Sequence, residues 1–88
     1  MWVAETVSTL QQYRAQLDGT VALVPTMGAL HQAHVEHIRV AKRMAKHVIV
    51  SIYVNPMQFG PDEDFERYPR PVAKDLATCR AESVSGVF

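Results

Sequence analysis

Two short β-branched runs set between stretches of helical spacing constrain this chain more than any other feature. Val21-Ala22-Leu23-Val24 and Val48-Ile49-Val50-Ser51-Ile52-Tyr53-Val54 have strand length and strand composition, with no apolar–polar alternation. Such a strand is expected to be buried on both faces, as in a parallel sheet covered by helices. Met1-Trp2-Val3 and Gly86-Val87-Phe88 are weaker terminal candidates for the same sheet. Between these runs the periodicity changes. Val7, Leu10, Tyr13 and Leu17 recur on one helical face, and Gly19 supplies a stop. Leu30, Val35, Ile38, Ala41 and Ala45 stripe a second helix over about 31–46, whose basic end (Lys42, Arg43, Lys46) suits the helix dipole. A third helix is expected from Val72 to about Glu82, opened by Pro71. Strand, helix, strand, helix, strand, helix, strand is the order of an α/β fold, an open parallel sheet with flanking helices and right-handed crossovers.

Composition narrows the function classes. A chain of 88 residues suffices for one small domain, and a hydrophobic share of 48% excludes a disordered segment. Nine Lys and Arg balance nine Asp and Glu, so no basic field is present to hold nucleic acid or a membrane surface. No apolar run approaches the roughly 18 residues of a membrane span. The opening MWVAETVSTL lacks the basic and apolar regions of a secretory signal. Cys79, the single cysteine, has no internal disulfide partner and fits a reducing compartment, so a cytoplasmic location is expected. On the third helix it reads as a small buried apolar residue.

Ligands of open parallel sheets sit beyond the carboxyl ends of the strands. The first such end runs Val24-Pro25-Thr26-Met27-Gly28-Ala29-Leu30-His31-Gln32-Ala33-His34. Gly28 permits a tight turn or a close ligand approach, and the unpaired N–H groups of the helix that follows favour an anion. His31 and His34 are close enough on the first turn to reach one phosphate. The neighbouring possibilities stay open: His34 and His37 as surface residues, or the trio His31, His34 and His37 as metal ligands. Neither a dinucleotide fingerprint nor a Walker-type phosphate loop is present, and the zincin pattern is also missing. Between Asn55 and Pro71 lies a loop with four of the five prolines and the acids Asp62, Glu63, Asp64 and Glu66. Its length, above the usual connection, marks it as a functional loop or lid, and Asp62-Glu63-Asp64 reads as a solvated acidic stretch.

Three motifs in order resemble one family. Pro25-Thr26-Met27-Gly28-Ala29-Leu30-His31-x-x-His34 is similar to the nucleotide-binding signature of the pantoate–β-alanine ligases. Val50-Ser51-Ile52-Tyr53-Val54-Asn55-Pro56-Met57-Gln58-Phe59 resembles the same family. Glu63-Asp64, Tyr68-Pro69-Arg70, Asp75-Leu76 and the terminal Gly86-Val87-Phe88 follow in the expected order. The resemblance implies a Rossmann-like fold of the HIGH-motif nucleotidyltransferase superfamily, with residues 1–88 forming the amino-terminal part of the nucleotide-binding domain. It implies a ligase that uses ATP, with Mg2+, to join pantoate and β-alanine through pantoyl adenylate, releasing pyrophosphate and then AMP. By the same resemblance Thr26, Met27, Gly28, Ala29, Leu30, His31, Gln32, Ala33 and His34 line the ATP site. His31 and His34 would be the catalytic phosphate donors, and His34 matches the proton-donor position. Gln58 would hold pantoate and β-alanine, and Tyr68 would face the substrate cavity from the loop. No residue is implied as a protein metal ligand.

Two departures from the family pattern stand out. Ala33 occupies the third position of the H-x-G-H signature, where a glycine would let nucleotide lie against the helix backbone. Glu36-His37 replaces the small or apolar pair more usual there. Family members are several times longer. By resemblance, the later Gly-x-Lys-Asp segment, a second pantoate-binding glutamine, the loop that clamps the triphosphate and the C-terminal domain of the family's homodimer are absent. A chain ending on a strand is expected to leave an apolar sheet edge. A non-catalytic module that binds nucleotide or pantoate is therefore the rival reading.

Overall fold

The computed structural model describes residues 1–61 and 64–88. Asp62 and Glu63, read above as part of an acidic stretch, lie outside the described residues. The described residues run through β1 (Trp2–Val3), α1 (Val7–Ala15), β2 (Val21–Thr26), α2 (Gln32–Met44), β3 (His47–Ile52), α3 (Val72–Ala81) and β4 (Gly86–Val87), with a 3-10 turn at Pro56–Gln58. All pairings are parallel, and the strands lie side by side in the order β1-β4-β3-β2. The β2–β3 pairing is the longest, from Val21 opposite His47 to Thr26 opposite Ile52.

That order explains which helix covers which face. The chain crosses the sheet from β1 to β2 in one direction, then returns through β3 to β4. Crossovers of one hand then place α1 on the face opposite to α2 and α3. The core forms on the α2–α3 face, where Val24, Val48, Val50 and Val87 from the sheet pack with Leu30, Ile38, Cys79 and Val84. Ile38, Val50 and Cys79 are sealed from solvent. At the rim Arg39 donates to Glu82 at 2.8 Å and Lys42 donates to the Glu82 carbonyl at 2.8 Å, tying α2 to the end of α3.

The α1 face is less completely covered. Val48, Ile49 and Val50 in β3 are all buried, but Leu23 in β2 is 62% exposed. The expectation that both apolar runs are buried on both faces thus holds only for residues 48–50: β3 ends at Ile52, Tyr53 beyond it is 65% exposed, and β2 is an edge strand whose Leu23 is open to solvent. A recess of about 850 Å3 remains there, with Leu10, Val21, Leu23 and Ile49 among its lining residues. The expected apolar edge at the chain's end is also corrected. β4 is an interior strand, paired to β1 on one side and β3 on the other, and the Phe88 N–H and carbonyl bond to Val50 and Ile52.

Local chemistry sets the boundaries. Thr6 caps α1, its hydroxyl accepting from the Thr9 N–H at 3.1 Å. The helix ends at Ala15, two residues before Leu17, and the chain turns at Gly19 with φ of 89°. No helix among the described residues is long and apolar enough to cross a membrane.

Candidate functional site

The carboxyl ends of β2 and β3 meet at a tightly bonded turn. Thr26, the last residue of β2, donates its hydroxyl to the Ser51 carbonyl at 2.9 Å and accepts the Gly28 N–H at 3.1 Å. Gly28 and Ala29 then take two successive left-handed conformations, with φ of 81° and 51°. A side chain at 28 would press on Ile52 Cγ2 at 3.0 Å and on an Asp75 oxygen at 3.1 Å, so glycine is required by space as well as by backbone. The next two N–H groups, of Ala29 and Leu30, donate to the two oxygens of Asp75, each at 2.8 Å. Asp75 comes from the first turn of α3 and is 2% exposed. The Leu30 side chain drops into the core.

His31 follows immediately as the cap of α2, in extended conformation. Its Nδ1 accepts the Ala33 N–H at 3.2 Å, and the Nδ1 of His34 accepts the His31 N–H at 3.1 Å. This is a reciprocal capping box built from two histidines rather than the usual hydroxyl and carboxamide. The rings lie 4.1 Å apart, tilted by 44°. A ring nitrogen that accepts carries no proton, so each neutral imidazole holds its proton on Nε2, on the side of the ring away from the cap. Two N–H donors are thereby set at the head of one helix.

The same geometry limits the backbone as an anion site. The expected pool of unpaired N–H groups is reduced, because those of Gly28, Ala29, Leu30, His31 and Ala33 are all bonded within the protein. The N–H groups of Gln32 and His34 in the first turn of α2 are outside that bonded set, and with the side chains of His31 and His34 they remain to meet a phosphate. Ala33 and Gln32 are exposed, and Gln32 donates to Glu36 at 3.3 Å.

The His34 pKa lies below the ordinary 6.5, first through burial, then through the neighbouring His31 and His37, with Asp75 opposing. Protonation at Nδ1 would also turn the acceptor of the cap into a donor facing the His31 N–H. Because the folded value is depressed, the stabilisation is present above pH 6.5 and is lost as pH falls through the folded value. NMR titration of the His34 ring is expected to give a midpoint below 6.5, with melting temperature dropping over the same range. A midpoint at or above 6.5 would show that the cap does not hold His34 neutral.

Beside the turn lies a cavity of about 320 Å3, lined by Met27, Gly28, Ile52, Tyr53, Val54, Phe65, Arg70, Val72 and Asp75. The loop after β3 closes one side of it. Asn55 accepts the Met57 N–H at 2.9 Å to open the 3-10 turn, and Phe59 packs edge-on against both Phe65 and Tyr68. Arg70 clasps the loop, donating to the carbonyls of Phe65, Glu66 and Tyr68 at 2.9–3.2 Å with its guanidinium over the Phe65 ring. Of the two substrate residues expected in this region, Tyr68 is half-buried in the aromatic cluster and Gln58 is exposed at the end of the 3-10 turn. Neither is among the lining residues, whereas Arg70 and Phe65 from the same loop are. Asp75, Arg70 and Tyr53 are the residues here to which sequence reading assigned no role. Their signal was weak because an acid on a helix, or an arginine in a loop, is ordinarily a solvated surface group.

Among the described residues no three of His, Cys, Asp or Glu are grouped to hold a metal ion. Asp75, the acid at the turn, spends both oxygens on backbone N–H groups, so these residues do not fit a protein-held Mg2+. Cys79, behind Asp75 in α3, is sealed from solvent, and burial pushes its thiol up to about 11. It is an inert core residue.

Comparison with known proteins bears on the family and the fold. A family model described as Pantoate-beta-alanine ligase matches residues 2–88. The pantothenate synthetase of Acidothermus cellulolyticus is 57% identical over 86 residues, covering 98% of this chain and 28% of that protein. The Helicobacter pylori strain G27 pantothenate synthetase is 52% identical over the whole chain, which covers 32% of it. Among solved structures, the pantothenate synthetase of Thermus thermophilus superposes with a TM-score of 0.87 at 41% identity. The Francisella tularensis pantoate-beta-alanine ligase, complexed with beta-gamma ATP and beta-alanine, gives 0.92 at 36% identity. Both structures are covered for about a third of their length, 31% and 34%, by the whole of this chain. With its parallel sheet, its histidine-capped helix and a family match that runs from residue 2 to residue 88, the chain belongs to the pantoate–β-alanine ligase family.

Proposed function

We propose that residues 1–88 form the amino-terminal, nucleotide-facing part of an ATP-dependent ligase that joins pantoate to β-alanine. The observation that carries this reading is the histidine cap at the end of the β2 turn, in which both Nδ1 atoms accept backbone N–H groups and the Nε2 of each ring is left for a phosphate. In the first step a carboxylate oxygen of pantoate attacks the α-phosphorus of ATP, the bond to the β-phosphate oxygen breaks, and pyrophosphate leaves. The amine of β-alanine then attacks the acyl carbon, AMP departs, and the amine proton is lost as the amide forms. The first step brings two anions together and needs little covalent help from protein. His31 and His34 donate to phosphate oxygens as charge builds on them, already oriented by the cap. His34 fills the proton-donor role. Thr26, Met27, Gly28, Ala29, Leu30, Gln32 and Ala33 shape the strand-to-helix turn under the nucleotide, largely as scaffold because so many of their N–H groups are bonded internally.

The cavity takes the acyl substrate. Arg70 supplies positive charge at its wall, and Met27, Phe65 and Val72 supply apolar surface for a branched carbon skeleton. Gln58 and Tyr68 serve the pantoate and β-alanine groups from the loop rim. Mg2+ belongs with the phosphates of the nucleotide.

The test is pantoate-dependent exchange of labelled pyrophosphate into ATP, with NMR of the histidine rings as a parallel record of ATP binding. Exchange that requires pantoate supports the ligase reading. ATP binding without exchange would make the chain a nucleotide-binding module, and absence of both would remove the nucleotide site itself.

A further inference from the structure

A buried carboxylate that grips two successive peptide N–H groups is an unusual use of an acid. Asp75 is 2% exposed and bonds Ala29 and Leu30 across more than forty residues of sequence, both at 2.8 Å. Successive N–H groups converging on one point form the kind of concavity that elsewhere captures an external anion. Here the anion is part of the protein. The grip falls on the one stretch whose backbone needs holding, since Gly28 and Ala29 are consecutive left-handed residues and alanine avoids that region unless something keeps it there. Leu30 leads directly into His31, the cap of α2. The position of the cap, and with it the partner of each imidazole Nδ1, is therefore set by where the 28–30 turn ends.

We propose that Asp75 is a positioning residue of the nucleotide site, which holds the turn so that His31 falls at the cap of α2 and so fixes the Nε2–H form and the aim of both histidines. The proposal rests on the reading of those histidines as phosphate donors. Asp75 touches no phosphate in this scheme, and acts through Ala29, Leu30 and His31. It also lines the 320 Å3 cavity together with Gly28, so the acyl cavity and the phosphate-facing turn share one side chain as a wall.

The test is 15N NMR of the imidazoles in the 88-residue protein, well above the histidine titration range. In the unmodified chain both rings are expected in the Nε2–H form, and ATP is expected to shift both. Asp75→Asn keeps the shape but leaves an amide NH2 facing one of the two N–H donors. The tautomer bias of His31 and His34 is expected to collapse toward the mixture of free imidazole, and ATP affinity to fall at least tenfold. Amides of β1, β4 and α1 should keep their shifts, because those elements lie outside the turn. Adding Ala29→Gly removes the backbone reason for the grip and is expected to restore part of the bias, a rescue that a purely packing role for Asp75 would not show. If Asp75→Asn alone does not fold, the comparison is made between Ala29→Gly with and without it. Unchanged tautomers in Asp75→Asn, or no recovery on adding Ala29→Gly, would overturn the proposal. If ATP leaves the rings of the unmodified chain untouched, the nucleotide reading fails by itself, and the tautomer comparison still decides what Asp75 does.

Discussion

Replacing His34 with alanine is expected to lower pantoate-dependent pyrophosphate exchange by about 10²–10³-fold, the scale of losing one preorganised donor to a developing anion. The structural cost is separable. His34 also accepts the His31 N–H at 3.1 Å, and losing such a cap contact costs about 1 kcal/mol. His34→Gln discriminates between the two effects, because glutamine at this third helical position is an ordinary capping-box partner. Its carboxamide oxygen can accept the same N–H, so melting temperature should return toward that of the parent while exchange stays low. Full exchange in His34→Gln would reduce His34 to a cap, and near-parent exchange in His34→Ala would remove it from the chemistry. A further check comes from pH. A phosphate at Nε2 favours the protonated ring, so ATP should raise the depressed His34 midpoint. An unchanged midpoint at saturating ATP would mean that the nucleotide sits elsewhere.

The second large effect lies at the far side of the sheet. Gly86 in β4 is buried, and a Cβ there would overlap the indole carbons of Trp2. The ring has nowhere easy to go, because it stacks on Tyr13 of α1 with centroids 4.8 Å apart and planes only 4° from parallel. Gly86→Ala is therefore expected to push Trp2 off the sheet, undo the β1–β4 pairing and loosen α1. Overpacking of this kind costs about 1–3 kcal/mol. In a domain of this size each kcal/mol lowers the melting temperature by roughly 4–8 °C. Trp2 is the only tryptophan, so its emission reports the event directly, with a red shift as the indole meets water. In a Trp2→Ala background the same glycine replacement should cost far less, the coupling expected of two groups in contact. Equal costs in both backgrounds, or unchanged emission, would show that Trp2 does not occupy that space.

Much of this was legible along the chain. The continuous apolar runs at 21–24 and 48–54 place β2 and β3 because period and composition are local properties; the helical stripes at 7–17 and 31–46 contain α1 and α2, and the helix expected over 72–82 from its Pro71 start contains α3. The strand-to-helix turn at Gly28 is local too, since a left-handed residue followed by a helix start is written in neighbouring residues. The resemblance carried by Pro25–His34, Asn55–Phe59 and Tyr68–Arg70 points to the family that residues 2–88 match.

Other features depended on which segments came to lie side by side. That β4 sits inside the sheet rather than at its edge follows from the chain reversing direction after β2, and no single segment records that reversal. Leu23 reads as core yet stands exposed, because burial depends on what covers a strand and not on the strand's own pattern. Asp75 entered the sequence reading only as part of the resemblance, with no role, and gains one where α3 brings it against the Gly28–Leu30 turn. The sequence by itself determined the elements, their order and the two histidines, for these rest on interactions between residues a few positions apart. Tertiary structure alone decided which loop residues wall the cavity and which carboxylate holds the turn. Those contacts join segments up to forty-six positions apart and exist only once the sheet has set the ends of β2 and β3 against α3.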